Sequence, residues 1–85
     1  MSARSGIQID KKQFGKELRD LIFSKGYTSI YDFHKKSVNH QISYSSLKKT
    51  ISGNFEMSIS NLLNIADALD MSPKEFMGSF SFKRV

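Results

Sequence analysis

Two pairs of adjacent lysines, Lys35-Lys36 and Lys48-Lys49, lie in a stretch that has no carboxylate between Asp32 and Glu56. From Phe33 to Phe55 the formal charge is +4. Ammonium groups in that setting suit a phosphate-rich partner: they displace condensed counterions, and no acid nearby repels the ligand. The second pair is set among hydroxyls, in the run Ile42-Ser43-Tyr44-Ser45-Ser46-Leu47-Lys48-Lys49-Thr50-Ile51-Ser52-Gly53-Asn54. Lysine only donates hydrogen bonds, whereas serine donates or accepts, so the two types together can match a patterned surface. The plainer alternative is a solvated face that binds nothing.

Catalytic chemistry finds no footing. His34 and His40 share the window six residues apart, with no cysteine in the chain and no acid inside the window to complete a metal site or a base. There is no phosphate-cradling glycine loop, no nucleophile spaced from a base, and no carboxylate pair in a credible cleft. The expectation is a non-enzyme with no catalytic residues, metal or cofactor.

At 85 residues the chain has room for one core. Hydrophobic residues at 39% and charged residues at 25% are globular values, which argues against wholesale disorder. The net charge of +5 is uneven: Glu56 to Glu75 holds Glu56, Asp67, Asp70 and Glu75 against Lys74 alone. One face for a polyanion and another for a different partner would explain that polarity. The lack of cysteine fits a reducing compartment, and no apolar run approaches membrane-spanning or signal-sequence length. A cytoplasmic location is expected, with no membrane partner.

The elements that position the lysines follow from caps and periodicity. Asp10 is a helix cap, with Gln13 as its capping-box partner, and Phe14, Leu18, Leu21 and Ile22 form the stripe of helix 1, which Gly26 ends. Thr28-Ser29 opens helix 2, whose buried side carries Ile30, Phe33 and Ser37 or Val38. Helix 3 runs from about Ser43 to Ser52, burying Leu47 with Thr50 or Ile51, and stops at Gly53-Asn54. Ser58 caps helix 4, for which Ile59, Leu62, Leu63, Ala66 and Leu69 are the expected stripe, with Leu63 and Ala66 at the core centre. Ser72-Pro73-Lys74-Glu75 starts helix 5, and Gly78 stops it. Residues 6–9 and 79–85 alternate like short strands.

The order of these helices resembles the Cro/cI-type (Xre-like) helix-turn-helix family. Leu18-Arg19-Asp20-Leu21 is similar to its first helix, and Ile42-Ser43, Leu47 and Ile51-Ser52-Gly53 to its recognition helix and closing glycine. Ser60 to Ser72 is similar to its fourth helix and exit, the most specific part of a likeness covering roughly Phe14 to Met77. The chain departs from the pattern at Ile51, where an acid is common, and at Ile30, where Gln is common. Its helix 2 to helix 3 connection, around Val38 to Gln41, is longer and lacks glycine.

The resemblance implies an all-α, five-helix lambda-repressor-like domain over residues 10–78, flanked by an arm or short strand at 1–9 and a tail or short strand at 79–85. It implies a transcriptional regulator, a repressor, that binds a two-fold symmetric double-stranded DNA operator as a homodimer. In such a module the second helix of the pair enters the major groove. Tyr44, Ser45, Ser46, Lys48 and Lys49 are therefore the expected base contacts, and Ser29, Lys35, Lys36 and Asn54 the phosphate contacts. Ile7, Ile9, Phe80 and Phe82 are the expected dimer interface, through strand pairing of the two ends or across a two-fold axis. The alternative is an antitoxin or other partner-binding module of the same fold, with a protein bound through helices 4 and 5 or the tail and DNA binding secondary. RNA binding is disfavoured, because aromatics are not interleaved through the basic window.

Overall fold

Each helix opens on a side chain that accepts from a backbone amide three residues on. The computed structural model describes residues 9–38, 41–54 and 57–85, and among them lie α1 (Lys11–Ser24), α2 (Ile30–Phe33), α3 (Tyr44–Ile51), α4 (Ile59–Ala68) and α5 (Pro73–Gly78). Their caps are Asp10, Ser29, Ser43, Ser58 and Ser72. Such an oxygen satisfies an amide the helix cannot pair internally, which fixes where each helix begins. At α5 the cap is reciprocal: Glu75 N donates to Ser72 Oγ at 3.1 Å and Ser72 N to the Glu75 carboxylate at 3.0 Å. At α1 it is not. Gln13 N donates to Asp10, but the Gln13 amide turns forward to Glu17 at 3.0 Å rather than back to the cap.

The long connection between α2 and α3 has a specific solution. After Phe33 the helix widens into a π-helical turn, His34–Val38. Gln41 N and Ile42 N both donate to the Val38 carbonyl, at 3.0 and 3.1 Å. The buried His34 ring reaches across to the Ile42 carbonyl at 2.6 Å. A carbonyl only accepts, so Nε2 carries the proton and donates. Side-chain and backbone bonds thus hold the far end of the connection. His40 lies outside the described residues.

The core joins Phe14, Leu18 and Ile22 of α1 to Phe33 and Val38, to Ile42 and Leu47, to Leu62, Ile65, Ala66 and Leu69, and to Phe76 and Phe80. The α4 stripe differs from expectation. Ile65 is fully buried, Leu63 is only half-buried, and Ile59 is 62% exposed. Leu62, Ile65, Ala66 and Leu69 keep the i, i+3, i+4, i+7 spacing, and that choice of face turns Ile59 and Leu63 outward.

Gly15, in the middle of α1, is buried where the helix crosses α3. A methyl there would collide with the Ile51 carbonyl oxygen and lie 2.8 Å from that of Thr50. Absence of a side chain is what lets α3 sit so close to α1. The turn after α3 depends on Gly53, whose φ of +103° is a left-handed value that costs other residues strain.

The tail folds back on α1. Ser81 N donates to Glu17 at 3.0 Å, Asp10 N donates to the Lys83 carbonyl at 2.7 Å, and Ile9 and Arg84 form one antiparallel bridge. The expected terminal strands thus reduce, among the described residues, to a single bridge within the chain. Phe80 stacks on Phe14 at 4.4 Å between centroids and is buried, whereas Phe82 keeps 41% of its surface exposed. Ile7 lies outside the described residues.

Candidate nucleic-acid interface

With Leu47 and Thr50 turned into the core, α3 shows its opposite side to solvent. Tyr44, Ser45, Lys48, Lys49 and Ser52 line one shallow, open depression there. The helical repeat explains the grouping: positions 45, 48, 49 and 52 fall on one face, with 44 at its edge. None of the five is acidic. Four of the expected base contacts are therefore gathered at one place, and Ser52 joins them.

Tyr44 organises this surface. Lys48 Nζ lies over its ring, 5.2 Å from the centroid, an attraction between cation and ring quadrupole. Tyr31 meets the same ring edge-on at 5.4 Å, and His34 lies tilted against it at 5.4 Å. His34 is in turn fixed by Ile42, so the ring that steers Lys48 is braced by α2 and by the connection. Tyr31 is 55% exposed beside this cluster. Its spacing from the lysines gives no signal in the sequence, whereas Ser52, not among the expected contacts, follows Lys48 by four residues, a spacing that could have placed it on the same face.

Ser46 stands apart from the depression. It is half-buried, its amide donates to Ser43 Oγ at 3.0 Å, and its hydroxyl accepts from the same Ser43 oxygen at 2.9 Å. Ser45 is exposed. Ser52 Oγ donates to the Lys48 and Lys49 carbonyls at 2.9 and 3.1 Å, which closes the carboxyl end of α3.

The four expected phosphate contacts lie around the depression rather than in it. Ser29 caps α2, and its oxygen accepts from Asp32 N at 2.9 Å. Asp32 also accepts from Thr28 N at 3.1 Å and pairs with Lys36 at 3.0 Å. The start of α2 is thus already served by its own carboxylate. The Lys36 ammonium, and after it the Thr28 amide, hold the Asp32 carboxyl below the usual carboxylate range. Lys35 is exposed, and Asn54 is exposed just beyond Gly53. Among the described residues no three His, Cys, Asp or Glu side chains gather as a metal site, and no helix is long and apolar enough to cross a membrane.

The solved structure of the clp gene regulator ClgR from C. glutamicum superposes on this chain with a TM-score of 0.61. The match covers 92% of this chain and 100% of that one, at 23% sequence identity. The fold is the five-helix, lambda-repressor-like helix-turn-helix fold. No protein-family model matches the chain, and no curated protein matches it in sequence.

Proposed function

We propose that this chain is a sequence-specific double-stranded DNA-binding transcriptional regulator. The observation that carries the reading is the convergence of Tyr44, Ser45, Lys48 and Lys49 on one depression with no carboxylate among its described lining residues, on the second helix of a helix-turn-helix pair. Lys48 and Lys49 donate to guanine O6 and N7, Ser45 pairs with a donor or an acceptor, and Tyr44 packs on a thymine methyl while steering Lys48. Lys35, Asn54 and the Ser29 region contact the backbone, with Lys36 shared between phosphate and Asp32. The likeness to a protein described as a gene regulator supports the same reading.

The binding unit is residues 10–78, and it acts as a homodimer on a two-fold symmetric operator, repressing by occupying a promoter. One small module contacts little DNA, and a second half-site adds its contacts for one association cost. For the interface, Phe82 still has surface to offer, while Phe80 is committed to its own core. Deleting 79–85 would therefore remove a core ring as well as a contact, and Phe82→Ser is the cleaner variant. Selection of bound duplexes from a random pool tests the whole reading: an inverted-repeat motif is expected, and a pool that never enriches would refute it. Sedimentation of the wild type and of Phe82→Ser tests the dimer.

A second reading, a partner-binding module such as an antitoxin, rests on the exposed Ile59 and the half-buried Leu63 one turn later on α4. A protein that copurifies at fixed ratio and is lost on Ile59→Lys would favour it over DNA binding.

A further inference from the structure

We infer that Lys12, near the start of α1, is a phosphate contact on the far lip of the groove that α3 enters; this rests on the DNA-binding reading above. Lys12 lies 23 or more residues before every other lysine assigned to the interface. The fold brings it there. A Cβ built on Gly53 would lie 2.7 Å from Lys12 Cγ and 3.4 Å from Lys12 Cα, so the lysine stem lies flat against the turn that ends α3. Gly15, one turn further along α1, seats on the Ile51 and Thr50 carbonyls and locks that register. Lys12 is exposed, and among the described residues no carboxylate lies within ion-pair distance of it.

Geometry then says which backbone it meets. The major groove is roughly 12 Å wide, about the diameter of a helix with its side chains, so α3 seated in it has a phosphate backbone on either side. Residues that flank the two ends of α3 are the ones placed to meet those backbones. Tyr31 and His34 place α2 beside the amino end, so Lys35 serves that lip. Lys12 and Asn54 flank Gly53 at the carboxyl end and serve the other. Burying the methylenes on the turn while the ammonium stays in solvent also limits the freedom a surface lysine would lose on binding.

The test uses the full chain and a duplex recovered from the random-pool selection. Lys12→Gln should weaken binding roughly threefold to tenfold on every duplex and flatten the log–log salt dependence by about 0.9. Lys12→Arg should restore both. Lys25→Gln, at the other end of α1 and about 20 Å away by helical rise, should change neither, since screening removes effects at that range. Methylphosphonate substitution, one phosphate at a time, should find a position that matters to the wild type and not to Lys12→Gln. Unaltered thermal melting of Lys12→Gln would show that a loss is not one of folding. If Lys12→Gln binds with wild-type affinity, salt slope and methylphosphonate pattern, the assignment of Lys12 is overturned while DNA binding stands. If the wild type retains no duplex, both fall.

Discussion

α3 and α4 are built alike and present opposite surfaces. Each begins on a serine whose oxygen accepts from the amide three residues on, at 3.0 Å for Ser43 and 3.1 Å for Ser58, and each turns an apolar stripe to the same core. Outward, α3 carries Tyr44, Ser45, Lys48 and Lys49, whereas α4 carries Ile59, Ser60, Leu63 and Asp67. Caps and stripes decide that a helix forms and where it sits. The remaining face is free of that duty and is where residue choice can serve binding. The lysines add a further distinction: Lys48 is steered by an aromatic ring and keeps its charge on offer, while Lys36 is offset by Asp32.

The sharpest division between the two helices should appear in the core. Ile65→Ala should cost about 2–5 kcal/mol of stability, while Leu63→Ala should cost only about 1 kcal/mol because that side chain is half in water. Denaturant melts of the pair check this, and equal losses would show that the buried face of α4 is centred elsewhere. Next in size, Gly15→Ala should destabilise by about 1–3 kcal/mol through overpacking against the α3 backbone. It should also weaken DNA binding beyond what its fraction unfolded explains, which affinity measured below the melting range would reveal.

Among the lysines, Lys48→Ala should cost about 1–3 kcal/mol of binding and relax preference at one base pair, with melting unchanged. Lys36→Ala should do less, and Asp32→Asn should tighten binding to all sequences and steepen the salt slope by about one unit. Identical behaviour of Lys36 and Lys48 would erase the contrast drawn between them. The smallest effect is acid sensitivity. Glu17 is held below its ordinary range first by the Gln13 amide and then by Ser81, Glu75 by the Ser72 amide, and Asp32 by Lys36. All three bind protons less readily folded than unfolded. Their contribution is complete above the unfolded carboxylate range and is lost as pH falls through the lowered folded values. Melting temperatures followed into acid should decline less for Glu17→Gln than for the wild type.

The features legible from sequence were those made by neighbours in sequence. The five caps, the Pro73 start and the stop at Gly53 each depend on a few adjacent residues, and all stand in the structure. The basic face of α3 was legible because one helical repeat contains it. The α4 stripe was misjudged because apolar residues occur on most sides of that helix, so periodicity alone does not select Ile65 over Leu63. Gly15 was opaque: its meaning lies in the carbonyls of Thr50 and Ile51, a contact no local pattern announces. The Asp32–Lys36 pair, at i, i+4, could have been found, and it changes what Lys36 offers to a phosphate.

The tail that returns to α1 also sets a hierarchy of motions. Its attachments are one bridge, the Ser81 and Asp10 amide bonds, and the Phe80 and Phe82 rings on Phe14. Phe82 holds a φ of +48°, a left-handed value that a bulky residue adopts only under constraint, so peeling the segment away relieves strain as it breaks contacts. The helices beneath share a core the tail only borders. Residues 81–84 therefore detach as a unit at a free energy well below that of global unfolding. Amide hydrogens at Asp10 and Ser81 would exchange with solvent long before those in the middle of α1 or α4, and each such opening would uncover one face of Phe14.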